Sequence, residues 1–393
     1  MEPNNDARWV IARSSTQRIL TGAAILDVVW KIVFNIYNIT EDAWFNTTGW
    51  NQFGGASAIT TKLLDVEVEQ NTGNFLFVYE DNATTGRDVN YVTWDGTVFS
   101  SEQTLTFNSD VAAEAQRWVV LRSKNSSNDI MLLSAGTSND LSAARWNGTS
   151  FINITTITLN AANANEERFS FSWEGNTSNG VLVWGEGTAG AVNYSFWNDT
   201  TKEFIAGGSV TNRGATVTVQ QIFTCSDPLS QYIGLAIGPD STDDVLMAVW
   251  NGTGWQGGVP NEETNAENIV NKNAVCAWTK NTSVGLFAFA DLNVPDIEYL
   301  TYNKTENDWY CPKNGQAVTD LTNAQGSNGP CLDSSVLSDD IEFIKMTSDP
   351  NSNDIMLILG GLNRDLESFI FNNTGLTQPT DGLLNSTISC TTF

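Results

Sequence analysis

The stretch Trp146-Asn147-Gly148-Thr149-Ser150-Phe151 decides the fold, because the same plan returns along the whole chain. An aromatic residue is followed by Asn or Asp, by a small or polar pair and by a second large residue. Asn-Gly and Asp-Gly suit the positive φ angles of a type I′ turn, and flanking aromatic rings pack across the paired strands. Each copy therefore predicts a tight hairpin between two strands, the third and fourth (c and d) of a repeating unit.

Seven copies are present, most of them about 50 residues from the next. They occupy residues 45–50, 94–99, 146–151, 197–200, 250–255, 302–305 and 371–376. Apolar runs upstream, such as residues 75–79 and 130–133, predict a strand b buried on both faces. A strand a precedes strand b, as in residues 117–123, and the sequence of residues 8–14 closely resembles that of residues 117–123.

This period predicts an all-β fold, a seven-bladed β-propeller of four-stranded antiparallel blades forming one domain. The expected blades are residues 8–56, 62–108, 115–160, 166–211, 215–263, 270–318 and 338–383. Residues 311–331 are predicted to form an inserted loop. Residues 384–393 are predicted to form a C-terminal strand or tail that either closes the ring or pairs with a neighbouring molecule.

The pattern resembles the β-propeller superfamily as a whole. Trp94-Asp95 at the end of a strand c resembles the Trp-Asp dipeptide of WD repeats, but the chain has no histidine and so lacks their Gly-His pair. The sialidase-type Asp box is also unmatched, because the aromatic residue here directly precedes the Asn or Asp. The resemblance therefore implies the architecture and no particular family.

Composition excludes several classes of function. With 19 basic and 45 acidic residues the net charge is −26, which repels phosphate backbones, so we expect no nucleic-acid partner. The longest apolar stretch, residues 20–34, is too short to cross a bilayer and contains Asp27 and Lys31, so no membrane span is expected. The first residues do not read as an export signal, which indicates either that one was removed or that this is an excised piece.

The sequence predicts no enzyme, no metal site and no cofactor. Without histidine, triads with a histidine base and most zinc sites are excluded, and no carboxylate pair stands out as a glycosidase centre. An Asp precedes strand c in five repeats and could ring one face as a calcium site, but stabilisation of its own turn is the simpler interpretation. These residues are Asp88, Asp140, Asp244, Asp296 and Asp365.

Acceptor sites for N-linked glycans are the most informative feature. The predicted glycosylated residues are Asn46, Asn82, Asn125, Asn147, Asn176, Asn198, Asn251, Asn281, Asn303 and Asn372. Most lie in c-to-d hairpins or a-to-b connections, which emerge on one face of a propeller, whereas Asn38 and Asn82 are assigned to the opposite face. Asn198-Asp199 and Asn303-Lys304 keep the site although the turn glycine is gone. The pattern predicts an extracellular or cell-surface protein with one sugar-coated face.

Five cysteines leave at least one unpaired. Cys311 and Cys331 bracket a Gly/Asn-rich loop and are predicted to form a disulfide, while the pairing of Cys225, Cys276 and Cys390 stays open. An apolar insertion after the first strand a is predicted to be an association surface, together with Cys390 and the tail. Its apolar residues are Ile19, Leu20, Ile25 and Leu26.

Three functions share this fold. The first is a glycosylated structural subunit of a cell-surface layer or filament, which in style fits an archaeal surface and whose partners are copies of itself or other surface proteins. The second is an adhesin that binds glycans or proteins, and the third is a carbohydrate-active propeller enzyme. Repetition without a catalytic signature favours the first.

Overall fold

A computed structural model describes the chain in segments. They are residues 13–14, 19–21, 31–34, 36–38, 41–44, 51–55, 62–80, 88–107, 116–161, 167–187, 191–212, 219, 221–238, 245–256, 274–282, 284–290, 297–318, 330–333, 341–349, 351–361 and 366–377. All 32 elements in these segments are β-strands. No helix in the described segments is long and apolar enough to cross a bilayer.

Two compact units make up the chain, the first ending at Asn165 and the second beginning at Glu166. The strands of the first unit are β1 Arg13–Ser14, β2 Ile19–Thr21, β3 Lys31–Phe34, β4 Ile36–Asn38, β5 Ala43–Trp44, β6 Asn51–Gly55, β7 Leu64–Val68, β8 Phe75–Glu80, β9 Asp88–Trp94, β10 Gln103–Thr106, β11 Gln116–Ser123, β12 Ile130–Gly136, β13 Leu141–Trp146 and β14 Phe151–Thr158. They form the four-stranded antiparallel sheets β1-β2-β4-β5, β7-β8-β9-β10 and β11-β12-β13-β14, with β3 paired to β6.

The second unit repeats this arrangement. Its strands are β15 Phe169–Trp173, β16 Gly180–Gly185, β17 Ala191–Asn198, β18 Glu203–Asn212, β19 Ile222–Ser226, β20 Ile233–Ile237, β21 Leu246–Trp250, β22 Trp255–Gln256, β23 Ala274–Trp278, β24 Val284–Ala290, β25 Ile297–Asn303, β26 Asp308–Cys311, β27 Gln316–Ala317, β28 Cys331–Asp333, β29 Ile341–Ser348, β30 Ile355–Gly361, β31 Leu366–Phe371 and β32 Leu376–Thr377. The sheets β15-β16-β17-β18, β19-β20-β21-β22 and β29-β30-β31-β32 have four strands, and the sheet β23 to β28 has six.

The described segments thus contain six sheets of four strands where seven were predicted. The six-stranded sheet differs because its outer strand is split. Both β26 and β28 pair with the same edge of β25: Tyr310 lies opposite Thr301, and Cys331 lies opposite Tyr299. The chain leaves this edge after Cys311 and returns to it at Cys331, so the insertion interrupts strand d itself. The blade limit predicted at residue 318 leaves β28 out.

The first sheet is interrupted in a similar way. β4 pairs with β5, and β3, which directly precedes β4, pairs with β6. Trp44 of β5 lies opposite Tyr37 of β4, and Asn51 of β6 lies opposite Phe34 of β3. Strands β5 and β6 therefore pair one after the other with the successive strands β4 and β3. Residues 45–50, which were predicted to be the first hairpin, fall between these two pieces and lie outside the described residues.

Within each unit, apolar clusters between successive sheets form the core. The b strands β8, β12 and β16 are buried along their whole length, as their continuous apolar runs predicted. In the first unit Phe34 contacts Phe77 of the next sheet, with ring centroids 4.4 Å apart. In the second unit one large cluster includes residues of β20, β23, β24, β29 and β31.

Two disulfides join cysteines of the described segments. Cys311–Cys331 joins the two ends of the insertion, with a Cα–Cα distance of 5.0 Å. Cys225–Cys276, with a Cα–Cα distance of 5.8 Å, connects β19 to β23, the first strands of neighbouring sheets. Its sequence separation of 51 residues is about one repeat. The four cysteines in the described residues are therefore all paired, and Cys390 lies outside the described part.

Candidate functional site

The c-to-d hairpins are the candidate site, and four of them share a short form. In each, an Asp or Asn follows the aromatic residue, and the residue after it has a positive φ: 98° at Gly96, 93° at Gly148, 94° at Gly252 and 71° at Asn373. The preceding Asp or Asn is not at positive φ. A type I′ turn needs two such residues, so the predicted turn type is wrong, and one residue at positive φ, Gly or Asn, is sufficient.

The Asn side chain stabilises the short hairpin through its oxygen. Asn147 Oδ1 accepts hydrogen bonds from the backbone N–H groups of Thr149 and Ser150, at 3.0 and 2.9 Å, and from the Thr149 hydroxyl at 2.8 Å. Asn251 makes the same set with Thr253 and Gly254. These bonds form an Asx turn, which uses only the oxygen of the amide.

Asp95 occupies the corresponding position in another sheet and shows what the turn requires. Its Oδ1 accepts from the Thr97 N–H, the Thr97 hydroxyl and the Val98 N–H at 2.8, 2.7 and 2.9 Å. These bonds hold the pKa of the Asp95 carboxyl below its usual value, with the Val98 bond contributing most. Carboxylate and amide oxygens therefore serve the turn equally, and the turn alone does not explain why the other hairpins have Asn.

A second, longer form of hairpin explains the loss of the turn glycine. Lys202, at φ 61°, donates its backbone N–H to the Asn198 carbonyl, and Asn307, at φ 56°, does the same to Asn303. The positive φ has moved three residues along the chain, so no glycine is needed directly after the Asn. The retention of acceptor sites at Asn198 and Asn303 without a glycine therefore has a structural cause.

The first sheet has this longer hairpin, which corrects the predicted register of the first repeat. Asp42 has a φ of 51°, Tyr37 and Asp42 are joined by a side-chain hydrogen bond, and Tyr302 makes the equivalent bond to Asn307 at 2.6 Å. Asn38 therefore corresponds to Asn303. It belongs to the c-to-d hairpin and not to the opposite end of the sheet, where the sequence interpretation had assigned it.

The a-to-b acceptor sites lie at the same end of their sheets as the c-to-d hairpins, because two turns of an antiparallel meander that are separated by two strands emerge on the same side. Asn125, Asn176 and Asn281 are all exposed. In the sheet of β15 to β18, the Asp199 N–H of the hairpin donates to Asn179 Oδ1 of the a-to-b turn at 3.1 Å. Asn46 and Asn82 lie outside the described residues.

The hairpin aromatic residues pack in the core, as predicted. Each first ring contacts the second across the strands, with centroid distances of 4.9 Å for Trp94 and Phe99 and 5.3 Å for Trp146 and Phe151. Trp146 and Trp250 are only 3% and 4% exposed. These rings are therefore not available to stack on a sugar.

A repeated bond between neighbouring sheets was missed at the sequence level. Trp146 Nε1 donates to Glu69 Oε1 at 2.6 Å across 77 residues, and Trp250 Nε1 donates to Glu174 Oε1 at 2.9 Å across 76. Both carboxylates are 2% exposed and follow a strand a, whereas each tryptophan ends strand c of the next sheet. In these two pairs of neighbouring sheets, one sheet is thus bonded to the next through a buried charge.

Lys304 makes the third bond of this kind. Tyr302 stands where four of the hairpins have tryptophan and offers no indole N–H, and Lys304 Nζ bonds the fully buried Asp227 instead. The carboxylates also accept from a hydroxyl three residues later: Glu69 from Thr72 and Asp227 from Ser230, both at 2.5 Å. An acidic residue followed by Ser or Thr at the third position was the signal in the sequence.

The other predicted site residues are dispersed or outside the described part. Ile19 and Leu20 lie in β2, which is paired on both edges, so they belong to a sheet and not to an insertion. Asp88 begins β9 and Asp140 directly precedes β13. Within the described segments no group of three or more His, Cys, Asp or Glu residues is placed to hold a metal ion. Ile25, Leu26, Asp244, Asp296, Asp365 and Cys390 lie outside those segments.

Comparison with known proteins identifies the architecture. No protein-family model matches the chain, and no curated protein matches it. Among solved structures, the BP39L lectin from Burkholderia pseudomallei is similar with a TM-score of 0.58 and 10% identity, covering 96% of this chain and 99% of the lectin. The chain has a β-propeller fold.

Two further solved structures are similar over most of their length. The Dos1 propeller has a TM-score of 0.53 and 7% identity, covering 96% of this chain and 86% of that one. A polysaccharide lyase, PL25 ulvan lyase, has a TM-score of 0.50 and 11% identity, covering 95% and 94%. At these identities the likeness concerns the fold, and this propeller's function must be argued from its own residues.

Proposed function

We propose that this propeller is an exported, N-glycosylated surface protein that acts as a structural or binding component and not as an enzyme. The observation that carries the proposal is the hairpin asparagine. Asp95 shows that the turn needs only a side-chain oxygen, yet the equivalent positions Asn147, Asn251 and Asn372 have an amide. In the described residues their Nδ2 atoms make no hydrogen bond. An amide nitrogen without a structural partner is what a glycan acceptor requires.

The threonine of each acceptor site does not discriminate between the two interpretations, because the turn uses it as well. Thr97 donates to Asp95 where no acceptor site exists, just as Thr149 donates to Asn147. The argument therefore rests on the asparagine. The simplest competing explanation is that asparagine avoids adding charge to a chain whose net charge is already −26.

Export is supported by the two disulfides, since such bonds form and persist in oxidising compartments. A non-catalytic role is supported by the use of the deeply buried carboxylates Glu69, Glu174 and Asp227 as bonds between sheets. These groups are held by structural partners and do not face an open cleft. The extracellular surface is the compartment that accommodates disulfides and glycans together.

A count of seven blades is part of the proposal. It rests on treating β26 and β28 as one interrupted outer strand, and β5 and β6 as another. Each of these two sheets then has four strand positions, like the other five sheets, and β27 is an addition at the outer edge. The layer or filament role is the form of the surface function that we favour, with self-association as its requirement.

The test of the proposal is glycopeptide mass spectrometry on protein exported by its native source. We expect hexose-bearing peptides at Asn147, Asn251 and Asn303, which lie in hairpins of three different sheets. Peptides that carry Asp95 serve as the internal control and should be bare, because a carboxylate is no acceptor. Unmodified asparagine at all three hairpins would overturn the glycosylated-surface function and favour charge avoidance.

Glycan binding is the second candidate. It is favoured by the similarity of nearly the whole chain to the BP39L lectin. Two measurements distinguish the glycan-binding protein from the structural subunit. Binding of the purified protein to a glycan array would favour the second candidate. Ordered arrays or fibres in electron micrographs of native material would favour the structural subunit.

A further inference from the structure

Strand β14 contains a bulge with an unusual residue at its centre. Arg145 of β13 lies opposite Ile152 and Ala143 lies opposite Thr155, so Asn153 and Ile154 together face the single residue Ala144. Asn153 has a φ of 52° and is exposed. A residue in the left-handed region within a strand turns its side chain away from the regular pleat, and asparagine tolerates this conformation better than most residues.

The bulge coincides with an acceptor sequence, Asn153-Ile154-Thr155, that lies in a strand and not in a turn. Asn153 makes no hydrogen bond within the described residues through its side chain. A second acceptor sequence within a strand, Asn193-Tyr194-Ser195, is different. β17 is paired on both edges, and Asn193 Nδ2 donates to Glu186 Oε1 at 3.0 Å. The amide of Asn193 therefore has a structural partner, whereas that of Asn153 has none among the residues that the structure describes.

The position of β14 gives such a modification a purpose. β14 is the outer edge of its sheet and is eight residues long, whereas the outer strands β22 and β32 have two residues each. A long unpaired edge is a template for another strand, and proteins protect such edges with bulges, charges or covering groups. The one longer outer strand, β18 with ten residues, has two register shifts as β14 does, and in addition has Gly208 at φ 140°.

We propose that Asn153 is a glycan acceptor and that its glycan shields the outer edge of β14 from pairing with a strand of another molecule. The inference rests on the proposed export and glycosylation. A bond forms between Asn153 Nδ2 and the anomeric carbon of a lipid-linked oligosaccharide. The bond from that carbon to the phosphate oxygen of the lipid breaks, the phosphate leaves with the electron pair, and Nδ2 loses one proton.

Two substitutions at one position test the inference. Thr155→Val removes the acceptor sequence but keeps Asn153, the bulge and a β-branched residue, whereas Thr155→Ser keeps the acceptor sequence. Both variants and the parent are exported from a cell with N-glycosylation machinery. Glycopeptide mass spectrometry then locates their glycans, and light scattering gives their molar masses. We expect a glycan at Asn153 in the parent and in Thr155→Ser. We expect its loss in Thr155→Val, with species of about twice the monomer mass formed by edge pairing.

The outcomes separate this inference from the proposed function. A bare Asn153 beside modified Asn147 and Asn251 overturns the inference and leaves the function intact, whereas bare asparagine at all three overturns both. A Thr155→Val protein that stays monomeric overturns the shielding role. If Thr155→Val does not fold, Asn153→Gly replaces it, because glycine accepts the same positive φ and carries no acceptor.

Discussion

Single buried side chains connect neighbouring sheets, and their energetic contribution is measurable. The indole N–H of Trp146 satisfies a carboxylate of Glu69 that is 2% exposed, and a hydrogen bond to a charged group contributes about 1.5 to 3 kcal/mol. Trp197 is equally buried, but its Nε1 has no hydrogen-bond partner among the described residues. These two tryptophans therefore form a matched pair.

We predict that Trp146→Phe lowers the free energy of unfolding by about 1.5 to 3 kcal/mol more than Trp197→Phe does. Both substitutions remove the same volume from a buried site, so the difference reports the bond to Glu69. Urea unfolding followed by circular dichroism provides the measurement. Trp250→Phe should behave like Trp146→Phe because of its bond to Glu174. Equal losses for Trp146 and Trp197 would show that the indole bond does not stabilise the fold.

The hairpin at Asp95 should respond to pH, whereas the hairpin at Asn147 should not. Hydrogen bonds from Val98 and Thr97 lower the pKa of Asp95 in the folded protein below the ordinary 3.8. A lowered folded-state pKa contributes stability above the unfolded-state pKa and loses it as the pH falls through the folded-state value. The Thr97 and Val98 amide resonances should therefore titrate with a midpoint below 3.8.

The internal control for this titration is in the same molecule. Thr149 and Ser150 form the same bonds to an amide oxygen that does not titrate in this range, so their resonances should stay constant. A midpoint at or above 3.8 for Thr97 would contradict the hydrogen-bond explanation. Asp95→Asn should abolish the titration and leave the hairpin folded.

At the scale of elements, the two disulfides should have different effects. Cys225–Cys276 closes a separation of 51 residues and joins two neighbouring sheets. The loop-closure estimate for its removal is about 4 kcal/mol. Cys311–Cys331 joins two pieces of one outer strand. Its loss should free β28 from β25 before it affects the buried strands β23 and β24.

We predict that Cys225→Ala with Cys276→Ala lowers the global free energy of unfolding by about 4 kcal/mol. Cys311→Ala with Cys331→Ala should instead accelerate hydrogen exchange in residues 331–333 and leave exchange in β23 and β24 nearly unchanged. Hydrogen exchange with mass spectrometry resolves both segments. Faster exchange throughout the second unit in the Cys311 variant would show that the outer strand supports the whole sheet.

The elements that could be predicted from the sequence are those whose signal is local. Three of the four short hairpins were located because a glycine marks the positive-φ position, and the b strands because their apolar runs are uninterrupted. The hairpin of the first repeat was placed wrongly because Phe45-Asn46 and the residues after it have the residue types of the hairpin motif. The true hairpin at Tyr37-Asn38 shares its length and its tyrosine bond with Tyr302-Asn303 but has no glycine.

At the scale of the whole molecule, contacts between repeats were the part that sequence reasoning could not supply. Glu69 and Trp146 are more than one repeat apart, and neither residue type is unusual in its own repeat. The Cys225–Cys276 pairing stayed open for the same reason, since three candidate cysteines were equivalent without a known register. Knowledge of which strands are neighbours was needed before these residues could be paired.

Because the outer strand is split into β26 and β28, the segment between these two strands is the part of the sheet best suited to replacement by another sequence. The chain leaves and re-enters the sheet at nearly adjacent positions, opposite Thr301 and Tyr299, and a covalent bond fixes both ends. Because β27 pairs with β26 and Val318 is buried, we expect the part of the segment that follows Val318 to accept a change of length without a shift in register. Protein engineers could insert a foreign epitope at this position and display it as a loop that the disulfide closes.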